Sequence, residues 1–122
     1  MKRILVVEDT EDNRQIVRDM LDAAGYEMLE ALDGLTGVEM AASEKPDLIL
    51  MDIQLPGIDG YEATRRIRAN PAIAKVPIIA VTSYALSGDE AKTREAGCDG
   101  YVAKPFSPRQ LLAKVREFLP DA

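Results

Sequence analysis

Three acids, a lysine and a threonine each stand at the end of an apolar run. Asp52 closes Leu48-Ile49-Leu50-Met51, and Glu8-Asp9 follow Ile4-Leu5-Val6-Val7. Thr82 follows Ile78-Ile79-Ala80-Val81, and Lys104 follows Tyr101-Val102-Ala103. Brought together, these side chains could move a phosphoryl group. Crowded carboxylates raise one another's pKa unless a cation intervenes. Hard oxygen donors suit Mg²⁺, which takes one or two carboxylates and keeps several waters. Calcium fits less well, because no loop has EF-hand spacing. A magnesium ion plus a lysine is a recurring arrangement for stabilising charge on a transferring phosphoryl group. Thr82 can donate to a phosphoryl oxygen, and Asp52 is the candidate nucleophile for an aspartyl phosphate. Singly, each residue has a plainer reading: a strand-end Asp as turn former, a Thr as cap, a Lys as solvated charge. Only the conjunction points to chemistry.

The conjunction requires a fold that gathers residues distant in sequence. Short β-branched-rich runs bounded by polar and turn residues read as strands buried on both faces. Strands are expected at Arg3–Val7, Tyr26–Leu32 (mixed, toward an edge), Leu48–Met51, Val76–Val81 and Gly100–Ala103. Helical periodicity fills the gaps. The first helix, capped by Asp9 or Thr10, carries Ile16, Val17, Met20, Leu21 and Ala24, and Gly25 stops it. A second follows the Asp33-Gly34 turn and closes before Lys45-Pro46. A third spans Tyr61–Ala69, and a fourth spans Asp89–Ala96. A fifth opens at Ser107-Pro108 and ends at Pro120. Five strand–helix alternations predict an α/β, doubly wound, flavodoxin-like fold with a parallel five-stranded sheet of order 2-1-3-4-5. Ligands bind such sheets beyond the carboxyl ends of the strands, where the order reverses. There the first and third strands deliver Glu8-Asp9 and Asp52. Asp47 is read as a strand-start residue.

Composition narrows the function classes. The chain has 122 residues, enough for one domain. Its net charge of −6 argues against sequence-independent nucleic-acid binding. Arg65, Arg66 and Arg68 read as a solvated helix face. The absence of histidine excludes Ser-His-Asp and Cys-His catalysis. One cysteine, Cys98, cannot form an internal disulfide and reads as a small buried residue, consistent with a cytoplasmic protein. No segment suits a signal peptide or a membrane span.

Ile4-Leu5-Val6-Val7-Glu8-Asp9, Asp47-Leu48-Ile49-Leu50-Met51-Asp52-Ile53-Gln54-Leu55-Pro56-Gly57, Ile79-Ala80-Val81-Thr82-Ser83 and Gly100-Tyr101-Val102-Ala103-Lys104-Pro105-Phe106 come in one characteristic order. They resemble the receiver (CheY-like) domains of two-component response regulators across the whole chain. Stand-alone receivers of the DivK type and receivers of hybrid kinases are most similar, as Asp9-Thr10-Glu11-Asp12-Asn13-Arg14 and Met51-Asp52-Ile53-Gln54-Leu55-Pro56 suggest. The resemblance implies a bacterial phosphorelay protein: residues 1–122 form a single receiver domain with no output domain. It would not be an enzyme in the ordinary sense, although it would catalyse its own phosphorylation and slow autodephosphorylation. Asp52 would accept the phosphoryl group from a phosphohistidine of a histidine kinase or a histidine phosphotransfer protein. Asp9, Asp52 and the backbone carbonyl of Gln54 would ligate Mg²⁺, with Glu8 acting through a water. Lys104 would pair with Asp52 and then with the phosphoryl group. Thr82 and Tyr101 would form the switch, and the Lys104–Pro105 bond would be cis. The output would be contact with a downstream protein, and the first helix, with Arg14, Gln15 and Arg18 flanking its apolar stripe, would dock the phosphodonor. A haloacid-dehalogenase-type phosphatase would need an Asp where Gln54 stands. A flavodoxin-like FMN binder would need a phosphate loop where Glu8-Asp9 would repel phosphate. A pseudo-receiver would lack the complete acidic set.

Overall fold

The computed structural model of the protein describes residues 1–83 and 89–119. In chain order the elements are β1 (Arg3–Val7), α1 (Glu11–Ala24), β2 (Glu27–Ala31), α2 (Gly34–Glu44), β3 (Leu48–Asp52), α3 (Gly60–Arg68), β4 (Ile78–Thr82), α4 (Asp89–Ala96), β5 (Gly100–Ala103) and α5 (Pro108–Phe118). The strands make one parallel sheet of order β2-β1-β3-β4-β5, as expected.

Alternation along each strand explains why the central runs are unbroken. Successive side chains point to opposite faces, so each run feeds two cores. Ile4, Val6, Leu48, Leu50, Ile79 and Val81 pack with Val17 and Leu21 of α1 and Leu111 and Val115 of α5. Leu5, Val7, Ile49, Met51, Ile78 and Ala80 pack with Ala41 of α2 and Ala63 and Ile67 of α3. At the edge, β2 keeps a mixed sequence because only Ala31 of its five residues is buried.

Caps set most helix boundaries. Gly25 ends α1 with φ 86°, a conformation that costs glycine nothing. Asp33 accepts from the Thr36 N–H at 2.7 Å, so α2 begins at Gly34 instead of after a separate turn. Ser107 and Gln110 form a reciprocal capping box on α5, with Pro108 in the first turn. The expected stop at Pro120 lies outside the described residues. Thr10 caps α1 without a side-chain bond. β4 begins at Ile78, two residues later than expected, because Pro77 has no N–H to give a central strand.

Away from the strands' carboxyl ends, three side chains differ from what their sequence positions predict. Ile16, assigned to the core stripe of α1, is 47% exposed. Arg65 and Arg66 do lie on the solvated face with Glu62, but Arg68 turns inward. Its guanidinium donates to the carbonyls of Gly97 (2.8 Å), Ala74 (2.9 Å) and Val76 (2.6 Å), and pairs with Asp99 at 2.7 Å. Asp99 also accepts from the Ile78 N–H, so this cluster ties α3 to the α3–β4 and α4–β5 loops at the end of the sheet where β4 begins. Asp47 does more than start β3: its carboxylate accepts from the Arg3 N–H at 2.8 Å, tying the starts of β1 and β3 together. Cys98 is buried against the Thr64 hydroxyl, and burial pushes its thiol pKa up. Among the described residues no helix is long and apolar enough to cross a membrane.

Candidate functional site

At the carboxyl ends of the strands the sheet gathers the polar residues. Glu8, just past β1, and Asp52, the last residue of β3, are 6% and 4% exposed. Asp9, next in the chain, is exposed. One carboxylate oxygen from each of Glu8, Asp9 and Asp52 lies within 4.8 Å of the others. Asp52 sits opposite Val81 of β4, so Thr82, fully buried, stands one residue beyond it on the neighbouring strand. The Lys104 N–H donates to the Thr82 carbonyl at 2.7 Å, extending the β4–β5 pairing by one residue. From there the Lys104 ammonium reaches Asp52 Oδ2 and Glu8 Oε1, each at 3.1 Å. The Lys104–Pro105 bond is cis.

The electrostatics are unequal. Burial, then the hydrogen bond and charge of Glu8, push Asp52 up to about 7, against the pull of Lys104 and the Gln54 N–H. Burial also pushes Glu8 up, but its hydrogen bond with Asp52, the Lys104 ammonium and the Thr10 N–H outweigh that and hold it low. Burial alone would lower the Lys104 pKa, but the two carboxylates raise it. One lysine therefore does not hold both buried acids equally in their ionised form: burial and the Glu8 charge push Asp52 toward its protonated form.

A family model described as the response regulator receiver domain matches residues 4–116. The chain belongs to the response regulator receiver domain family. The polar-differentiation response regulator DivK of Brucella anthropi is 40% identical over 121 residues, covering 99% of this chain and 98% of the relative. The receiver domain of a sensor histidine kinase from Pseudomonas aeruginosa PAO1, solved with a magnesium ion coordinated in its active site cleft, superposes with a TM-score of 0.90 at 40% identity over 98% of each chain. A chemotaxis protein of the CheY type from Vibrio cholerae gives 0.91 at 29% identity, covering 97% of this chain and 98% of its own. Receivers are the phosphoacceptors of two-component signalling, and that role comes with membership of the family.

Around this receiver cluster, two first-turn residues of α1 contribute beyond the set expected from sequence. Asn13 Nδ2 donates to Glu8 Oε1 at 3.0 Å. Arg14, expected on an exposed docking face, is 8% exposed and donates to the Glu8 carbonyl at 3.0 Å. The signal available was spacing: a three-residue link turns α1 back over the end of β1, within reach of positions five and six after Glu8. Gln54 holds the site's rim on both sides. Its N–H donates to Asp52 Oδ1 at 3.1 Å, and its side-chain oxygen accepts from the Ser83 N–H at 3.0 Å. Tyr101 stands apart from the acids. It is half-buried on β5, opposite Ala80, and lines a polar hollow with Glu90 and Arg94 of α4 and Lys114 of α5.

Proposed function

We propose that this receiver accepts a phosphoryl group on Asp52 from the phosphohistidine of a histidine kinase or a histidine phosphotransfer protein, in a Mg²⁺-dependent reaction. The observation that carries the reading is the Lys104 ammonium 3.1 Å from both Asp52 and Glu8, with Asp9 completing the acidic cluster. The donor set fits magnesium: three carboxylates and nearby carbonyls, all hard oxygens, with Asp52 still short of positive charge. Asp9, Asp52 and the Gln54 backbone carbonyl would hold the ion directly, and Glu8 through a water. Once bound, Mg²⁺ supplies charge neutralisation for the transferring oxygens.

A carboxylate oxygen of Asp52 attacks phosphorus. The phosphorus–nitrogen bond of the donor breaks, and its electron pair returns to the imidazole. Lys104 lies on Asp52 before transfer and pairs with the phosphoryl oxygens after it. The Thr82 hydroxyl donates to a phosphoryl oxygen, and Gln54, on the rim, influences the water that later hydrolyses the acyl phosphate slowly. The protein turns over no other substrate. It works in the cytoplasm and signals by phosphorylation-dependent binding of a downstream protein.

The test is incubation with acetyl phosphate and Mg²⁺. Intact-mass analysis is expected to show one added phosphoryl group, stable to acid and lost in base. Chelation with EDTA, or Asp9→Ala, is expected to abolish labelling. Undiminished labelling in EDTA would overturn the metal-dependent reading.

The switch would run through Thr82 to Tyr101, the two members of the site that sit on β4 and β5. Phosphorylation favours the state in which Thr82 and Lys104 engage the new charge. Tyr101 then follows inward and reshapes the hollow between α4 and α5. Tyr101→Ala is expected to be labelled at the wild-type rate, while the label-induced amide shifts in residues 89–119, read by NMR, shrink by more than half. Full-sized shifts in the variant would reduce Tyr101 to packing.

A further inference from the structure

We infer that Arg14 is a positioning residue for the divalent cation: it fixes the Glu8–Asp9 backbone from which the metal-binding carboxylates project. The inference rests on the metal-dependent reading above and assigns a residue that reading does not use.

An arginine is rarely buried unless its charge is paired and its donors are used. Arg14 is 8% exposed, and its donors point three ways. Nη1 donates to the Glu8 carbonyl at 3.0 Å. Nε pairs with Glu30 of β2 at 3.2 Å, and Nη2 pairs with Glu11. Glu30 is held in turn by Arg18 at 2.5 Å. Two carboxylates largely neutralise the Arg14 charge, so its contribution to the site is placement more than potential.

What it places is a short piece of chain with few other supports. The Glu8 N–H is fixed by the Ala31 carbonyl at 3.0 Å. Arg14 fixes the other side of the same residue, so both backbone polar groups of Glu8 are tied to β2, one directly and one through Glu30. The α1 cap gives little help, since Thr10 makes no side-chain cap bond. The Glu8 side chain has its own anchors in Lys104, Asn13 and the Thr10 N–H. Asp9 has none: among the described residues nothing donates a hydrogen bond to its carboxylate. Its position therefore depends on the peptide that Arg14 holds. Groups that orient metal ligands from behind typically change metal affinity by about 10–100-fold when removed.

The fork geometry is what matters, so charge alone should not rescue. An ammonium at position 14 has no rigid fork with which to meet the Glu8 carbonyl and Glu30 together. Mn²⁺ binding, followed by the EPR signal of the free ion, reads affinity without any phosphoryl transfer. Arg14→Met and Arg14→Lys are both expected to raise the Mn²⁺ dissociation constant about tenfold. Glu30→Ala is expected to do so several-fold, while Glu30→Gln, which keeps an acceptor for Nε, stays within about twofold of wild type. In labelling with acetyl phosphate, Arg14→Met should need about ten times more Mg²⁺ for half-maximal rate and still reach the wild-type maximum. Urea melts in EDTA identify the folded fraction to which each affinity is referred. Wild-type affinity in folded Arg14→Met, or full rescue by Arg14→Lys, overturns the inference alone. Absence of Mn²⁺ binding by the wild-type protein overturns the metal reading and the inference with it.

Discussion

Asp52→Asn is expected to take no phosphoryl group from acetyl phosphate and, in EDTA at pH 8, to be more stable than the wild type. The first outcome follows from chemistry: an amide oxygen does not replace a carboxylate as the nucleophile that forms an acyl phosphate. The second follows from the pKa of about 7 that burial and Glu8 impose on Asp52. For a carboxylate with an ordinary value near 3.9, such a rise corresponds to about 4 kcal/mol against the ionised form. Below about pH 4 the side chain is protonated in both folded and unfolded chains, and nothing is lost. As pH climbs from about 4 to about 7, the unfolded chain releases its proton while the folded one retains it, so the metal-free wild type loses stability. Above that range the loss is complete. Glu8 runs the other way: its lowered pKa contributes stability at neutral pH that fades in acid. Glu8 is present in both proteins, so their difference reports Asp52. The pull of Lys104 is already contained in that value, but an amide reproduces only in part the hydrogen bond that the protonated Asp52 carboxyl makes with Glu8, which returns about 1–3 kcal/mol of the gain. A net advantage of about 1–3 kcal/mol at pH 8, shrinking toward pH 4.5, is the expected result in urea melts. Persistent labelling, or a variant less stable than wild type at pH 8, would overturn these assignments. The same contest makes a strong case for a second cation, because Lys104 alone leaves the proposed nucleophile partly protonated.

Strand ends are legible in the sequence because each follows an apolar run that has nowhere to go except the interior. Leu48–Met51 feeds both faces of the sheet, so its length and lack of polar residues place Asp52 without further information. Given the strand order, Glu8, Thr82 and Lys104 fall at the same edge. The arginines are not legible. Arg14, Arg18, Arg65, Arg66 and Arg68 look alike in a helical pattern, which sends each of them to solvent or to a docking face. Only Arg65 and Arg66 keep to a plainly exposed face, paired within their own helix. Arg68 finds three carbonyls and Asp99 in the α3–β4 and α4–β5 loops, and Arg14 finds Glu8 just past β1 and Glu30 on β2. A long aliphatic stem lets arginine reach inward or outward from the same position; partners decide, and partners are tertiary. Ile16 errs in the opposite direction. Its spacing matches the core stripe, but it sits at the stripe's edge beside the α1–α5 groove with Met20 and Leu112.

Gly60→Ala tests how tightly the mount of Asp52 is built. Alanine is the better helix former, and Gly60 opens α3 outside the left-handed region, so local propensity favours the change. Packing opposes it. A β-carbon at position 60 would stand 2.3 Å from the Asp52 carbonyl oxygen and 2.7 Å from Ile53 Cα. Both obstacles are backbone, so no side chain can swing aside. The Gly60 N–H also donates to the Ile53 carbonyl at 2.9 Å, which holds the two segments at this spacing. β3 cannot yield easily, since its residues pair with β1 on one side and β4 on the other. The start of α3 must move instead, breaking that bond or the Asp59 cap on Glu62. Overpacking a core typically costs about 1–3 kcal/mol, and a backbone-to-backbone clash belongs at or above the upper end, so a loss of about 3 kcal/mol or more is expected. Gly57→Ala is the control. Gly57 has φ 75°, and a β-carbon there would meet nothing within 4 Å, so only the left-handed conformation is penalised, by about 1–2 kcal/mol. Urea melts should rank wild type above Gly57→Ala above Gly60→Ala. Equal stability for the two variants would show that α3 floats free of β3, and the rigid support assigned to Asp52 would have to be sought elsewhere.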